Sequence, residues 1–252
     1  MVQLNEVISY LDSRLRLESI KDFNLALNGL QIQNNGFISK IGAAVDVGLV
    51  PLEMARRSKI DLLICHHGLY WEPIIPIIDH NYEKIKIAIN SNIAVYSAHL
   101  PLDCHPEIGN NALLAKELEL EAIGNFLNYE GTDIGLICSG KGHTLDTISN
   151  LLKKLFPETY NSIIFGSKSP EKIAILTGSG QSAINELKSN NIDTLITGEL
   201  KQHHFNIAQE LKLNLFPCGH YATETFGVKA LAKEISQKFN LEWTFLNQEC
   251  NI

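Results

Sequence analysis

Paired cysteines are missing from this chain. Cys65, Cys104, Cys138, Cys218 and Cys250 are odd in number and show no C-x-x-C or comparable spacing. That pattern argues against a disulfide scaffold and a thiolate zinc site, and it fits a reducing cytoplasm. Basic charge is scarce as well. Lys and Arg number 21 against 28 Asp and Glu, and no basic cluster exceeds the doublets Arg56-Arg57 and Lys153-Lys154. A surface that works by neutralising nucleic-acid phosphates is therefore not expected. Long apolar runs are absent: Leu62-Leu63-Ile64-Cys65 has the length of a strand, far short of the roughly 18 residues that span a bilayer. The start, Met1 to Glu6, has neither a basic nor an apolar leader region, so neither secretion nor a membrane partner is expected. There is no G-x-G-x-x-G and no phosphate loop ending in Gly-Lys-Ser/Thr, which disfavours NAD or ATP as an obligatory cofactor. What the chain has is 45% apolar residues over 252 positions, enough for one large or two small domains with substantial cores.

A repeat organises those residues. Lys40 to Asp46 and Lys172 to Gly178 are short apolar runs, each followed by a Gly-containing turn and a helical stretch (Pro51 to Arg57; Ser182 to Lys188). A second run then follows in each, Ile60 to Ile64 and Ile192 to Ile196, held at the same offset without a gap. Third runs end at Ala98-His99 and Gly219-His220. This is a βαβαβ-like unit written twice. Continuous apolar strands alternating with helices predict an α/β fold with two similar halves, each a mainly parallel or mixed sheet flanked by helices. The expected halves are residues 1–127 and 128–252, joined through Gly124 to Gly142, with the last helix and strand able to pack back on the first half. Further helices are expected at Leu4 to Leu15, Asn110 to Leu120 with Asn110 as N-cap, Leu145 to Leu155 and Thr223 to Phe239.

In open α/β sheets ligands bind at the carboxyl ends of strands. The residues there are His66-His67-Gly68, then His99 leading to Asp103, then Thr197-Gly198-Glu199, then His220 with Glu224 four positions on. One such histidine is ordinarily a structural residue. Four strand ends that each deliver an imidazole or a carboxylate make an N/O donor set suited to Zn, Fe or Mn. His220 and Glu224 share a face if the helix has begun at His220. Adjacent side chains such as His66 and His67 diverge, which points to two ions, with Glu224 or Asp103 available as a bridge. Cys65, Cys104 and Cys218 read as small apolar residues. His203 and His204 are candidates for an outer shell of the same cleft, and the Thr177-Gly178-Ser179-Gly180 turn reads as a tight strand-to-helix turn, or more weakly as an anion site.

These residues, together with Asn28-Gly29-Leu30-Gln31 and Gly109-Asn110-Asn111, resemble the Nif-three-like dinuclear-metal-centre family, often labelled type 2 GTP cyclohydrolase I, over nearly the whole chain. The resemblance implies two divalent ions per subunit, with His66 and Asp103 on one, His67 and His220 on the other, and Glu224 bridging. It also implies a toroidal homohexamer with the sites facing an inner cavity. The activity it implies is metal-dependent hydrolysis of a small, nucleotide-like substrate. Apart from the resemblance, His99 ends the strand that leads to Asp103, which makes it the candidate proton donor, with Glu199 as the alternate and an orienting role toward Asp103 as the other reading of His99. The competing expectation is a metal-binding regulatory or scaffold protein without turnover. Five protein ligands for two ions leave open coordination positions, which favours the hydrolase.

Overall fold

A computed structural model describes residues 1–71, 76–248 and 250. The chain runs through β1 (Val2–Gln3), α1 (Leu4–Leu15), β2 (Gly29–Ile32), β3 (Phe37–Ile38), β4 (Lys40–Asp46), α2 (Leu49–Arg57), β5 (Leu62–His67), α3 (Asp79–Asn90), β6 (Ala94–Ser97) and α4 (Leu100–Asp103). It continues through α5 (Asn110–Glu117), β7 (Ala122–Tyr129), β8 (Thr132–Ser139), α6 (Leu145–Leu155), β9 (Ile163–Ile164), β10 (Lys172–Ser179), α7 (Ile184–Leu187) and β11 (Thr194–Glu199). The last elements are α8 (His204–Leu211), β12 (Asn214–Pro217), α9 (His220–Thr223), α10 (Thr225–Phe239) and β13 (Glu242–Phe245).

Met1–Leu102 with Gly227–Gln248 form one unit, and Asp103–Phe226 belong to a second. Where the sequence reading divided the chain after residue 127, the fold divides it at Leu102 and Asp103, and α10 and β13 return to the first unit. The stretch from Gly124 to Gly142, read from sequence as a joint, is mostly the β7–β8 hairpin, paired antiparallel and built into the second sheet. Its eight-residue strands are long enough to extend that sheet rather than to link halves.

The first unit carries a five-stranded sheet of order β13-β4-β5-β6-β2. Strands β13, β4, β5 and β6 are parallel, and β2 lies antiparallel on the edge. Period-two alternation sorts the side chains. Leu63, Cys65, Ala44 and Val95 join the cluster that includes Leu52 and Ala55 of α2 and Ala88 of α3. The alternate positions Leu62, Ile64 and Tyr96 are equally buried, and the Tyr96 hydroxyl donates to Asp12 of α1 at 2.9 Å. A sheet covered on both faces is what continuous apolar strands require.

The second unit has a six-stranded sheet of order β7-β8-β10-β11-β12-β9. Its parallel centre, β10-β11-β12, with β9 antiparallel beside β12, repeats β4-β5-β6 with β2 beside β6. The copies differ at the other flank, where parallel β13 and antiparallel β8 take the corresponding place. Ile173, Ile175, Ile196 and Phe216 pack with Ile148, Leu152 and Phe156 of the α6 side. Each such aliphatic side chain contributes about 1.5–3 kcal/mol when buried. Thr144 caps α6 through a reciprocal bond pair with Thr147. Asn110 is not a cap: Gly109 holds that position, and the Asn110 side chain is turned to Asp103 instead.

Candidate metal centre

In the first unit the chemistry gathers where β5 and β6 end. Strand β5 terminates in His66 and His67, and His99 follows β6. His66 is fully buried and His99 is 6% exposed. The rings of His66 and His67 lie 4.8 Å apart between centroids, and His99 lies 4.9 Å from His66 and 5.7 Å from His67. One ligand nitrogen from each of the three falls within 4.8 Å of the others. Adjacent side chains were expected to diverge. At the last two positions of a strand that constraint relaxes, and the two rings converge.

Each of these imidazoles is held through Nδ1. His66 Nδ1–H donates to the Ala98 carbonyl, His67 Nδ1–H to Asp46 Oδ1 and His99 Nδ1–H to Asp22 Oδ1, all at 2.8 Å. A carbonyl or carboxylate can only accept, so the proton sits on Nδ1, and in the neutral ring Nε2 carries the lone pair. That tautomer is the one a metal ligand needs, and such outer partners orient metal-binding histidines generally. The donor set therefore fits a divalent transition metal. Asp22 is further tied by Asn28 Nδ2 at 2.7 Å and by the Leu100 N–H at 2.9 Å. Burial alone would raise its carboxyl pKa, but the hydrogen bond and charge of His99, with Asn28 and the Phe23 N–H, hold it below the usual carboxylate range.

In the second unit, the His220 to Thr223 turn of α9 puts His220 and Glu224 on one face as their spacing predicted. His220 Nε2 and Glu224 Oε1 are 3.1 Å apart, and His220 Nδ1 lies 3.2 Å from Glu199 Oε1. Burial would lower the His220 pKa, yet Glu224 and Glu199 on its two nitrogens push it up to about 9. Glu224 is 2% exposed. It comes so close to β10 that a Cβ on Gly178 would lie 2.2 Å from Glu224 Oε1. Gly178 also has φ +67°, so this turn needs glycine on both counts. Asp103, buried, accepts from Asn110 Nδ2 at 2.7 Å and from Thr177 Oγ1 at 3.4 Å. Asn111 joins Thr177 to the Ile134 carbonyl.

Other sequence candidates sort differently. Glu199 reaches His220 Nδ1, the position of an orienting partner. His204 is buried and accepts from the Lys201 N–H at 2.9 Å, with burial and then His203 lowering its pKa; its bond serves the start of α8. A Cβ on Gly180 would lie 2.3 Å from Thr197 Oγ1, so close packing on β11 accounts for that glycine. Sequence reasoning missed Asp22 and Asp46. Asp46 ends β4 and obeys the same strand-end rule, whereas Asp22 lies in an irregular loop that no periodicity marks.

Among the described residues no helix is long and apolar enough to cross a membrane. Fold and donors together define a duplicated α/β protein whose strand ends carry imidazoles and carboxylates able to hold metal. The chain belongs to the Duf34/NIF3 (NGG1p interacting factor 3) family, whose profile matches residues 2–251. It is 38% identical over 246 residues to the GTP cyclohydrolase 1 type 2 homolog of Deinococcus radiodurans, covering 96% of this chain and 92% of that one. It is 36% identical to the protein of the same name from Pyrococcus abyssi, over 98% of each chain. The crystal structure of TTHA1606 from Thermus thermophilus superposes with a TM-score of 0.86 at 33% identity, over the whole of both chains.

Proposed function

We propose that this protein is a metal-dependent hydrolase of a small nucleotide-like substrate, with two divalent ions (Zn, Fe or Mn) held by His66, His67, Asp103, His220 and Glu224. The observation that carries this reading is that His66 and His67 are each locked through Nδ1 to an acceptor, which presents Nε2 for coordination. The family pattern puts His66 and Asp103 on one ion, His67 and His220 on the other, and Glu224 between them. The cyclohydrolase name of the relatives supports a nucleotide as the first substrate to try. Ions bound by such donors supply Lewis-acid activation of water near neutral pH.

The chain's own groups supply orientation and proton handling. Asn110 and Thr177 restrain Asp103, and Glu199 orients His220. His99 is assigned the proton transfer to the leaving group, its ring oriented by the Asp22 carboxylate at Nδ1. A ring of six copies, carried over from the family resemblance, completes the assembly, and the cysteines held as thiols support a cytoplasmic setting.

The test is metal analysis of protein purified without added metal, then a screen of nucleotides, pterins and phosphodiesters. About two ions per chain are expected, falling in Glu224→Ala. His99→Ala should retain the metal and lose roughly 10²–10⁴-fold in turnover. Unchanged metal in Glu224→Ala removes the bridge. Loss of metal in His99→Ala makes His99 a ligand, and absence of turnover on every substrate leaves a binding protein. Monomer or dimer alone in sedimentation at micromolar concentration rules out the ring.

A further inference from the structure

Two loops of the first unit expose apolar rings beside the histidine cluster. Phe23 is 45% exposed, and its ring lies 5.5 Å from that of His99. Trp71 is 37% exposed, 4.5 Å from His99 in an edge arrangement and 5.2 Å from His67. Leu25, Leu27 and Tyr70 on the same loops are exposed by 49%, 51% and 43%.

The loops are also tied to each other. The Leu27 N–H donates to the Tyr70 carbonyl at 3.3 Å. Gln31 accepts from the Leu69 N–H at 2.6 Å and donates to the Leu27 carbonyl at 2.7 Å. Gly68 leaves room for that glutamine, since a Cβ there would lie 2.2 Å from Gln31 Nε2. The Asn28-to-Gln31 motif thus has a physical role, in which Asn28 anchors His99 and Asp22 while Gln31 clamps the two aromatic loops.

We propose that Phe23 and Trp71 form a stacking subsite for a planar heteroaromatic ring of the molecule processed at the metal centre, a proposal that rests on the hydrolase reading above. Large rings on loops cross-tied at Leu27, Leu69 and Tyr70, at the edge of an imidazole cluster, present π-faces that favour a flat ring and tolerate variation in its substituents. The patch is small for a protein partner. Five side chains of about 150–250 Å² each, exposed by a third to a half, offer on the order of 400 Å², roughly half of one partner's share in a stable dimer.

The chain has two tryptophans, so a Trp243→Phe protein reports on Trp71 alone. In zinc-loaded protein, guanosine should change Trp71 fluorescence saturably and ribose 5-phosphate should not. Trp71→Leu and Phe23→Leu should weaken guanosine binding, measured by calorimetry, by about 10- to 100-fold with zinc content unchanged, and Trp71→Phe should largely restore it. Equal binding of guanosine by parent and Trp71→Leu overturns the subsite. So does a Trp71→Leu protein that sediments as a smaller assembly while binding guanosine normally, which would make the patch an interface between copies. The two readings fail separately. Guanosine binding without turnover of any substrate removes the hydrolase and keeps the subsite, whereas nucleotide hydrolysis whose KM ignores both variants removes the subsite and keeps the hydrolase.

Discussion

Four imidazoles in this chain share one device: a hydrogen-bond acceptor at Nδ1. It is a backbone carbonyl for His66 and a carboxylate for His67, His99 and His220. The device orients each ring and settles its tautomer, but for His220 it also retains a proton, because Glu224 waits at the other nitrogen. A folded pKa of about 9 against an ordinary 6.5 stabilises the metal-free protein fully below pH 6.5, and that contribution is lost as pH rises through about 9. Melting temperatures in EDTA should therefore fall across pH 6.5–9.5, and His220→Gln should flatten the decline. Gly178 offers a second test at this scale. In Gly178→Ala the new methyl group competes with Glu224 Oε1 for the same space, and φ +67° is strained for alanine. Metal content should fall as in Glu224→Ala while far-ultraviolet circular dichroism stays that of the parent.

Short elements carry the site, and polar cross-ties add to the burial of Leu102 and Tyr221 in holding them. Helix α9 has four residues, too few to be stable alone. Its buried Thr223 accepts from the Gly178 N–H at 3.1 Å and lies 3.0 Å from the Gly219 carbonyl. Thr223→Val preserves shape and leaves the Gly178 N–H without that acceptor, a loss worth about 1–3 kcal/mol. Urea unfolding should show that loss, together with weaker metal retention. Longer elements were legible because their periodicity is strong. Helices α1 and α6 run over the residues their apolar spacing predicts, and β4, β5, β10 and β11 are the four runs that define the repeat. The β7–β8 hairpin was not legible, since its exposed first half reads as a loop in composition.

At the scale of the molecule, burial explains the cysteines. Cys65, Cys138 and Cys218 are buried, and burial raises the thiol pKa of all three, to about 12 for Cys138 and Cys218. The unfolded chain releases those protons from about pH 9 upward while the folded chain keeps them, so stability should fall above pH 9. At pH 8 a thiol reagent should label Cys104 and Cys250 promptly and the other three only when urea unfolds the chain. Sequence alone determined the α/β class, the duplication and the run of histidines and carboxylates after the strands, because apolar run length, a gapless repeat and residue order are local properties of the chain. It also marked the strand ends as the place where those donors would act. Only the tertiary structure decided which groups hold the histidines. Asp22 reaches His99 across 77 positions and Asp46 reaches His67 across 21, and Gln31 meets Leu69 over 38. Contacts at such separations leave no periodic trace, since loop closure sets the partner and the chain between them is free to vary. For the same reason the ownership of α10 and β13 was open in the sequence: a parallel strand pairs wherever its connecting helix can pack, and here that is beside β4.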